Sequence, residues 1–360
     1  MPEPVTTDRR GPSPAPTRAE IRAAARNALG HEHLRPGQAE AVAAIASGRD
    51  TIAILPTGGG KSAVYQLAGL EIDGPTIVVS PLIALQHDQV GALHDLGIAA
   101  ASLSSAIPES DRRTALDAFD RGDLEFLLLA PEQLAVAETL ERLRGSHPSL
   151  FVVDEAHCIS EWGPDFRPEY ARLGEAVEAL GRPPVLALTA TASPAVRDEI
   201  VERLALRDPA IVARGFDRPN IALVVETYAD MVAKRRALVE RTVDAAAGGA
   251  TGLVYTATRR SAEEAAAALA EAGVAAAPYH AGMGSRRRTE VQDAFMAGGT
   301  KVVVATIAFG MGVDKPDVRF VHHLDASDSL DAYHQEIGRA GRDGEPARAV
   351  LFFRADDLGL

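Results

Sequence analysis

The chain has 360 residues, 46% hydrophobic and 24% charged, with a formal net charge of −13. This is an ordinary soluble composition with room for two domains. It argues against broad nonspecific nucleic-acid binding, whose usual footprint is a basic domain, though not against a basic groove on an acidic body. The single cysteine excludes an internal disulfide and a Cys-based zinc site, so a reducing cytoplasm is the default.

No apolar run approaches the ~20 residues that span a bilayer. The opening MPEPVTTDRRGPSPAPT lacks the apolar region of a secretory signal, and residues 1–18 are expected to form a disordered tail. Short apolar runs then alternate with helical stretches. The runs are TIAIL (51–55), TIVVS (76–80), EFLLLA (125–130), LFVVD (150–154) and PVLALTA (184–190). Helices are expected over KSAVYQLAGL and after Ser193-Pro194, where serine caps and proline suits the first turn. The second half repeats the alternation with TGLVYTA (251–257), AAAPYH (275–280), TKVVVAT (300–306), VRFVHHL (318–324) and ARAVLFF (347–353). A capping-box pattern opens a helix at Ser261. Strands that are apolar throughout and alternate with helices imply mostly parallel sheets covered on both faces. The boundary falls near Arg214-Gly215, giving lobes at 19–213 and 214–360 with a cleft between them.

LPTGGGKS (55–62) follows a strand and opens a helix, the setting of a phosphate loop. Thr57, Gly58, Gly59 and Gly60 would let the backbone close around phosphate oxygens; Lys61 would reach the outer phosphates, and Ser62 would bind Mg2+. Asp154 ends a strand, where an open parallel sheet places its ligands, and can hold magnesium directly or through a water. Glu155 can position and deprotonate the attacking water. The basic clusters Lys234-Arg235-Arg236, Arg259-Arg260 and Arg286-Arg287-Arg288 read equally well as solvated helix faces.

RPGQ (35–38), the phosphate loop, SPLIALQHDQ, APEQL, DEAHCIS, LTATAS, FDRPN, YHAGM, ATIAFGMGVDKP and QEIGRAGRDG follow in that order. The set resembles the catalytic core of RecQ-type DNA helicases of superfamily 2, from about Ile21 to the end. The resemblance implies two tandem RecA-like lobes with the ATP site in the cleft between them. It also implies an ATP-dependent 3′–5′ DNA helicase of repair or recombination, using ATP and Mg2+ without zinc. Its partners would be single-stranded DNA and duplex/single-strand junctions, with no membrane, and the protein would act as a cytoplasmic monomer.

By the same resemblance, Gln38 and Arg35 would recognise adenine, with His31 where relatives often carry an aromatic ring. Asp314 would lie near the ribose. Arg339 and Arg342 would complete the catalytic site, and Thr189 and Thr191 would relay nucleotide state. Ser80, Gln89, Thr258, Arg259 and Arg288 would lie along the strand. Trp162 and Phe166 would stack on bases and move His157 and Glu155, with Arg167 adding a phosphate or interlobe contact. The chain departs from the family at Gln133, Glu161 and Pro164. Its zinc-binding and winged-helix modules are expected to be absent, in either a core fragment or a minimal member. An RNA-remodelling relative and a silent nucleic-acid clamp are the alternatives; intact Lys61, Glu155 and Arg342 oppose the clamp. A dehydrogenase fits poorly, since G-x-G-x-x-G is lacking.

Overall fold

The structure, a computed structural model, describes residues 15–359 except 57, 82, 106, 161–166, 216, 307–308 and 310–314. Thr57, Trp162, Phe166 and Asp314 of the expected site, together with Glu161 and Pro164, therefore lie outside the described residues. The chain divides into two compact units after Gly215.

The first unit begins with α1 (Arg18–Leu29) and α2 (Gln38–Ala46). Thr17 and Glu20 form a reciprocal capping box on α1, so this helix begins within the last residues of the stretch expected to be a tail. Then follow β1 (Thr51–Ile54), α3 (Lys61–Glu71), β2 (Thr76–Val79), α4 (Ile83–Asp95), β3 (Ala100–Leu103), α5 (Glu109–Asp120), β4 (Phe126–Leu129) and α6 (Ala137–Gly145). The unit closes with β5 (Leu150–Val153), α7 (Leu173–Ala179), β6 (Val185–Thr189), α8 (Pro194–Arg203) and β7 (Ala210–Ala213). The strands form one sheet in the order β3-β4-β2-β5-β6-β1-β7, and every recorded pairing is parallel.

Successive residues of one strand enter opposite cores. Phe151 and Val153 join one cluster, while Leu150 and Val152 join the other. Helices cover both faces, which is why these strands read as unbroken apolar runs. Ser193 accepts the Val196 N–H at 3.3 Å and Pro194 opens α8, as its sequence indicates.

The second unit runs β8 (Ile221–Thr227), α9 (Met231–Ala246), β9 (Thr251–Tyr255), α10 (Arg259–Glu271), β10 (Ala276–Tyr279), α11 (Ser285–Met296), β11 (Val302–Ala305), β12 (Val318–His323), α12 (Leu330–Ile337) and β13 (Ala347–Phe353). Its sheet, in the order β10-β11-β9-β12-β13-β8, is also parallel and has a core on each face. Helix α10 starts two residues earlier than expected: the Thr258 hydroxyl accepts the Ser261 N–H at 3.1 Å, so Thr258 is the cap and Ser261 lies inside the first turn.

Three strands escape the sequence pattern, β3, β7 and β8, and all lie at sheet edges. An edge strand needs to bury only part of its surface. Accordingly, β7 alternates half-buried with exposed residues, and β8 leaves Leu223 and Val225 at 60% and 62% exposure. Among the described residues, no helix is long and apolar enough to cross a membrane.

Candidate active site

In the first unit, β1 and β6 are adjacent in the sheet and β5 pairs with β6. The turns after their C-terminal ends carry the phosphate loop, Asp154-Glu155 and the Thr189 segment. Gly60 caps α3 in the left-handed conformation (φ 75°) with no side-chain cap, leaving the first-turn N–H groups for an anion. A Cβ at Gly60 would collide with the Gln38 amide. That amide is engaged at both ends: Nε2 donates to Gly60 O at 2.9 Å and Gly59 O at 3.3 Å, and Oε1 accepts the Arg35 N–H at 2.7 Å. Gln38 therefore braces the phosphate loop in this structure, and reading adenine requires exchanging those bonds. Arg35 and His31 are exposed.

Lys61 Nζ donates to Glu155 Oε2 at 2.9 Å. The same oxygen lies 3.5 Å from His157 Nδ1, which is 2.9 Å from Thr189 Oγ1. The Thr189 hydroxyl donates to Thr191 O at 2.7 Å. Lys61, Glu155, His157, Thr189 and Thr191 thus form one chain of contacts. Glu155 occupies the left-handed region (φ 48°), a strained conformation for a residue with a Cβ. The neighbouring Tyr170 hydroxyl, unforeseen from sequence, donates to Asp154 O at 3.0 Å.

Asp154 is buried. Burial pushes its carboxyl up to about 6, the negative charge of Glu155 adds to this, and Lys61 opposes it. The side chains already present do not compensate its charge. A divalent cation would, so the buried carboxylate fits magnesium; Ser62, the other expected ligand, lies in the first turn of α3. Among the described residues no group of three or more His, Cys, Asp or Glu side chains could hold a metal. A nucleotide-bound magnesium needs only one or two protein ligands, the rest being phosphate and water.

Two residues expected along the strand are buried in this structure. Ser80 is fully buried, with its carbonyl accepting the Gln86 amide at 2.8 Å, so its hydroxyl is not presented at the surface. Gln89 is also buried and donates to Ser62 Oγ at 3.3 Å, which makes it a neighbour of the phosphate loop. Arg167 Nη1 donates to Pro81 O at 3.1 Å, and its backbone N–H to Cys158 O at 2.9 Å.

In the second unit, Arg339 is buried just after α12 and Arg342 is half-buried in the turn that follows. The Arg339 guanidinium lies beside Tyr255. Burial pushes the Tyr255 hydroxyl up to about 12, Arg339 opposes the shift, and Glu336 adds to it. The basic clusters divide into paired and unpaired members among the described residues. Lys234 is fully buried against Asp357 at 2.7 Å and Asp325 at 3.6 Å. Arg235, Arg236, Arg260, Arg286 and Arg287 pair with glutamates. Arg259 and Arg288 have no ion pair among the described residues, and Arg259 packs over Gly282 beside His280. With the α10 cap Thr258, these two are the residues of this unit that the resemblance places along the strand.

A family profile described as DEAD/DEAH box helicase matches residues 35–200, and one for the helicase conserved C-terminal domain matches residues 233–344. The chain is 43% identical over 334 residues to the probable ATP-dependent DNA helicase RecS of Bacillus subtilis, covering 92% of this chain and 66% of that protein. It is 41% identical over 330 residues to the ATP-dependent DNA helicase RecQ of Pasteurella multocida, covering 91% and 51%. Among solved structures, the Mycobacterium smegmatis helicase Lhr bound to ssDNA and AMP-PNP is similar with a TM-score of 0.69 at 25% identity, covering 90% of this chain and 46% of that one. The chain spans about half to two thirds of the length of these curated relatives.

Proposed function

The chain belongs to the RecQ-type helicases of superfamily 2, its two parallel sheets being tandem RecA-like lobes. From that premise we propose that it couples Mg-ATP hydrolysis to 3′–5′ translocation on single-stranded DNA and to duplex unwinding in repair or recombination. It works as a cytoplasmic monomer.

The observation that carries this reading is the Lys61–Glu155 pair, 2.9 Å apart beside the glycine loop and the buried Asp154. An incoming nucleotide places phosphate oxygens at the α3 N-terminus. Lys61 moves from Glu155 to the outer phosphates. Glu155, freed of its cation, accepts the proton of the attacking water as the phosphoryl group passes to that water and ADP leaves. Ser62 and Asp154 would hold magnesium, which neutralises phosphate charge when bound. Arg339 and Arg342 stabilise charge spread over the transferring oxygens. His157, already touching Glu155, and Thr189 beyond it pass the nucleotide state to Thr191. Arg35 and Gln38, with His31, take the base, and Asp314 takes the ribose. Thr258, Arg259, Arg288 and Arg167 follow the strand's phosphates, and Trp162 and Phe166 stack on its bases.

ATP turnover measured with oligo(dT) and with oligo(rU) of equal length tests the substrate class. Strong stimulation by the DNA strand is expected, and equal or stronger stimulation by RNA would overturn the assignment. Unwinding of 3′-tailed but not 5′-tailed duplexes tests the direction.

A further inference from the structure

Arg218 and Asn220, in the FDRPN stretch that leads into β8, converge on the turn that carries Arg339 and Arg342. Arg218 Nη1 donates to Gly338 O at 3.1 Å. Its Nη2 donates to Ala340 O at 2.8 Å and Gly341 O at 2.9 Å. Asn220 Nδ2 donates to the same Gly341 O at 2.9 Å and to Glu345 O at 3.0 Å. The carbonyls on either side of Arg339, and the one before Arg342, are thus all held by side chains more than a hundred residues away in sequence. The other side of this turn is tied as well, because the Gly341 N–H donates to Val318 O at 2.8 Å.

The chemistry explains the choice of residues. Carbonyls at and beyond a helix C-terminus have no intrahelical donor. A guanidinium presents five N–H groups in a rigid plane and can meet several of them at once, whereas an ammonium on a flexible stem cannot hold the same fan. Gly341 takes φ 55°, and a Cβ there would meet the Asn220 amide, Glu345 O at 2.7 Å and Ala347 Cβ at 3.2 Å. The turn therefore has one close-fitting conformation with Arg218 and Asn220 as its template.

We propose that Arg218 and Asn220 are positioning residues for the phosphoryl-facing arginines, acting on turnover through Arg339 and Arg342 and not by touching nucleotide. This rests on the proposed role of those arginines in hydrolysis. It is separable from the packing of the unit because it predicts a loss in kcat, with little change in KM, that depends on Arg342.

The test is a double-mutant cycle on DNA-stimulated ATP turnover with Arg218→Ala, Arg342→Ala and the pair. Thermal melting and oligo(dT) binding are followed alongside. Arg218→Ala is expected to lower kcat about 10- to 100-fold, the scale on which misplacing a catalytic group by about 1 Å acts. KM for ATP should stay within about threefold. In the Arg342→Ala background the same change should lower the residual rate clearly less than it does in the wild type, since one of the two groups it positions is gone. Arg218→Lys, which keeps the charge, should not restore kcat. Asn220→Asp, which keeps the shape but turns the donor pair towards two carbonyls into an acceptor, should reproduce the loss.

Near-normal turnover in both Arg339→Ala and Arg342→Ala would remove the catalytic reading of the arginines and this inference with it. Lost turnover in the arginine variants, together with full turnover in Arg218→Ala or fully multiplicative effects in the pair, would overturn the inference alone. Loss of kcat only in variants that no longer melt cooperatively would assign the clamp a purely structural role and also overturn it.

Discussion

Replacing Asp154 by asparagine should stabilise the nucleotide-free protein at neutral pH while abolishing its activity. The Asp154 carboxyl is raised from an ordinary 3.8 to about 6, first by burial and then by the Glu155 charge, against the pull of Lys61. Ionising it in the folded protein therefore costs about two to three kcal/mol more than in the unfolded chain, at roughly 1.4 kcal/mol per pH unit. The sign follows from the raised folded value. The contribution of Asp154 to stability is fully present below about pH 4, declines as the pH rises through about 6, and is lost above that. Asparagine preserves the shape and can still accept the Glu155 N–H that Asp154 Oδ1 receives at 3.0 Å, but carries no charge to bury. Urea unfolding at a series of pH values should show wild type and Asp154→Asn nearly equal at about pH 4, with the variant more stable by on the order of 2–3 kcal/mol at about pH 8. Magnesium with a non-hydrolysable ATP analogue should close the gap by stabilising the wild type alone. The reasoning fails if the variant is the less stable protein at pH 8, or if the difference between the two does not change with pH.

Lys61→Ala and Glu155→Gln should each abolish ATP turnover with the far-ultraviolet circular dichroism unchanged; steady-state rates within a few-fold of wild type would remove the pair from the mechanism. Trp162→Ala should keep basal ATP turnover, melting temperature and single-strand binding but lose stimulation by DNA; a variant that stays fully stimulated, or loses activity only by unfolding, would end the coupling role of that loop. Lys234→Met should destabilise the second unit by about 3–5 kcal/mol, because it strands the buried Asp357 beside Asp325 without a cation. A loss below about 1 kcal/mol in chemical denaturation would show that the lysine is not needed to balance those charges.

Local chemistry made much of this protein legible. A strand covered on both faces must be apolar at every position, so β1, β2, β4, β5 and β6 stand out as runs, as do most strands of the second sheet. Helix entry is also local: serine before proline predicts the α8 cap because donor and acceptor lie within three residues. The phosphate loop and the acid pair stand out because glycine, lysine and carboxylate sit just beyond strand ends, and the fold brings Lys61 and Glu155 into contact.

Other features depend on partners far away in the chain. Edge strands β3, β7 and β8 bury too little to impose a pattern, and only pairing with β4, β1 and β13 makes them strands. Lys234 sits in a basic run that reads as solvated, yet carboxylates 91 and 123 residues on draw it into the core. Gln38 is engaged by a loop 21 and 22 residues away, and Ser80 is buried despite its place in a strand-facing motif. Arg218 and Asn220 could be quoted as part of a motif but not given a task, because the carbonyls they hold belong to a turn brought alongside β8 only by its pairing with β13. Apolar periodicity and capping act within a few residues and are written in order along the chain. Burial of a charge and satisfaction of a carbonyl depend on which distant segment the sheet places next to it.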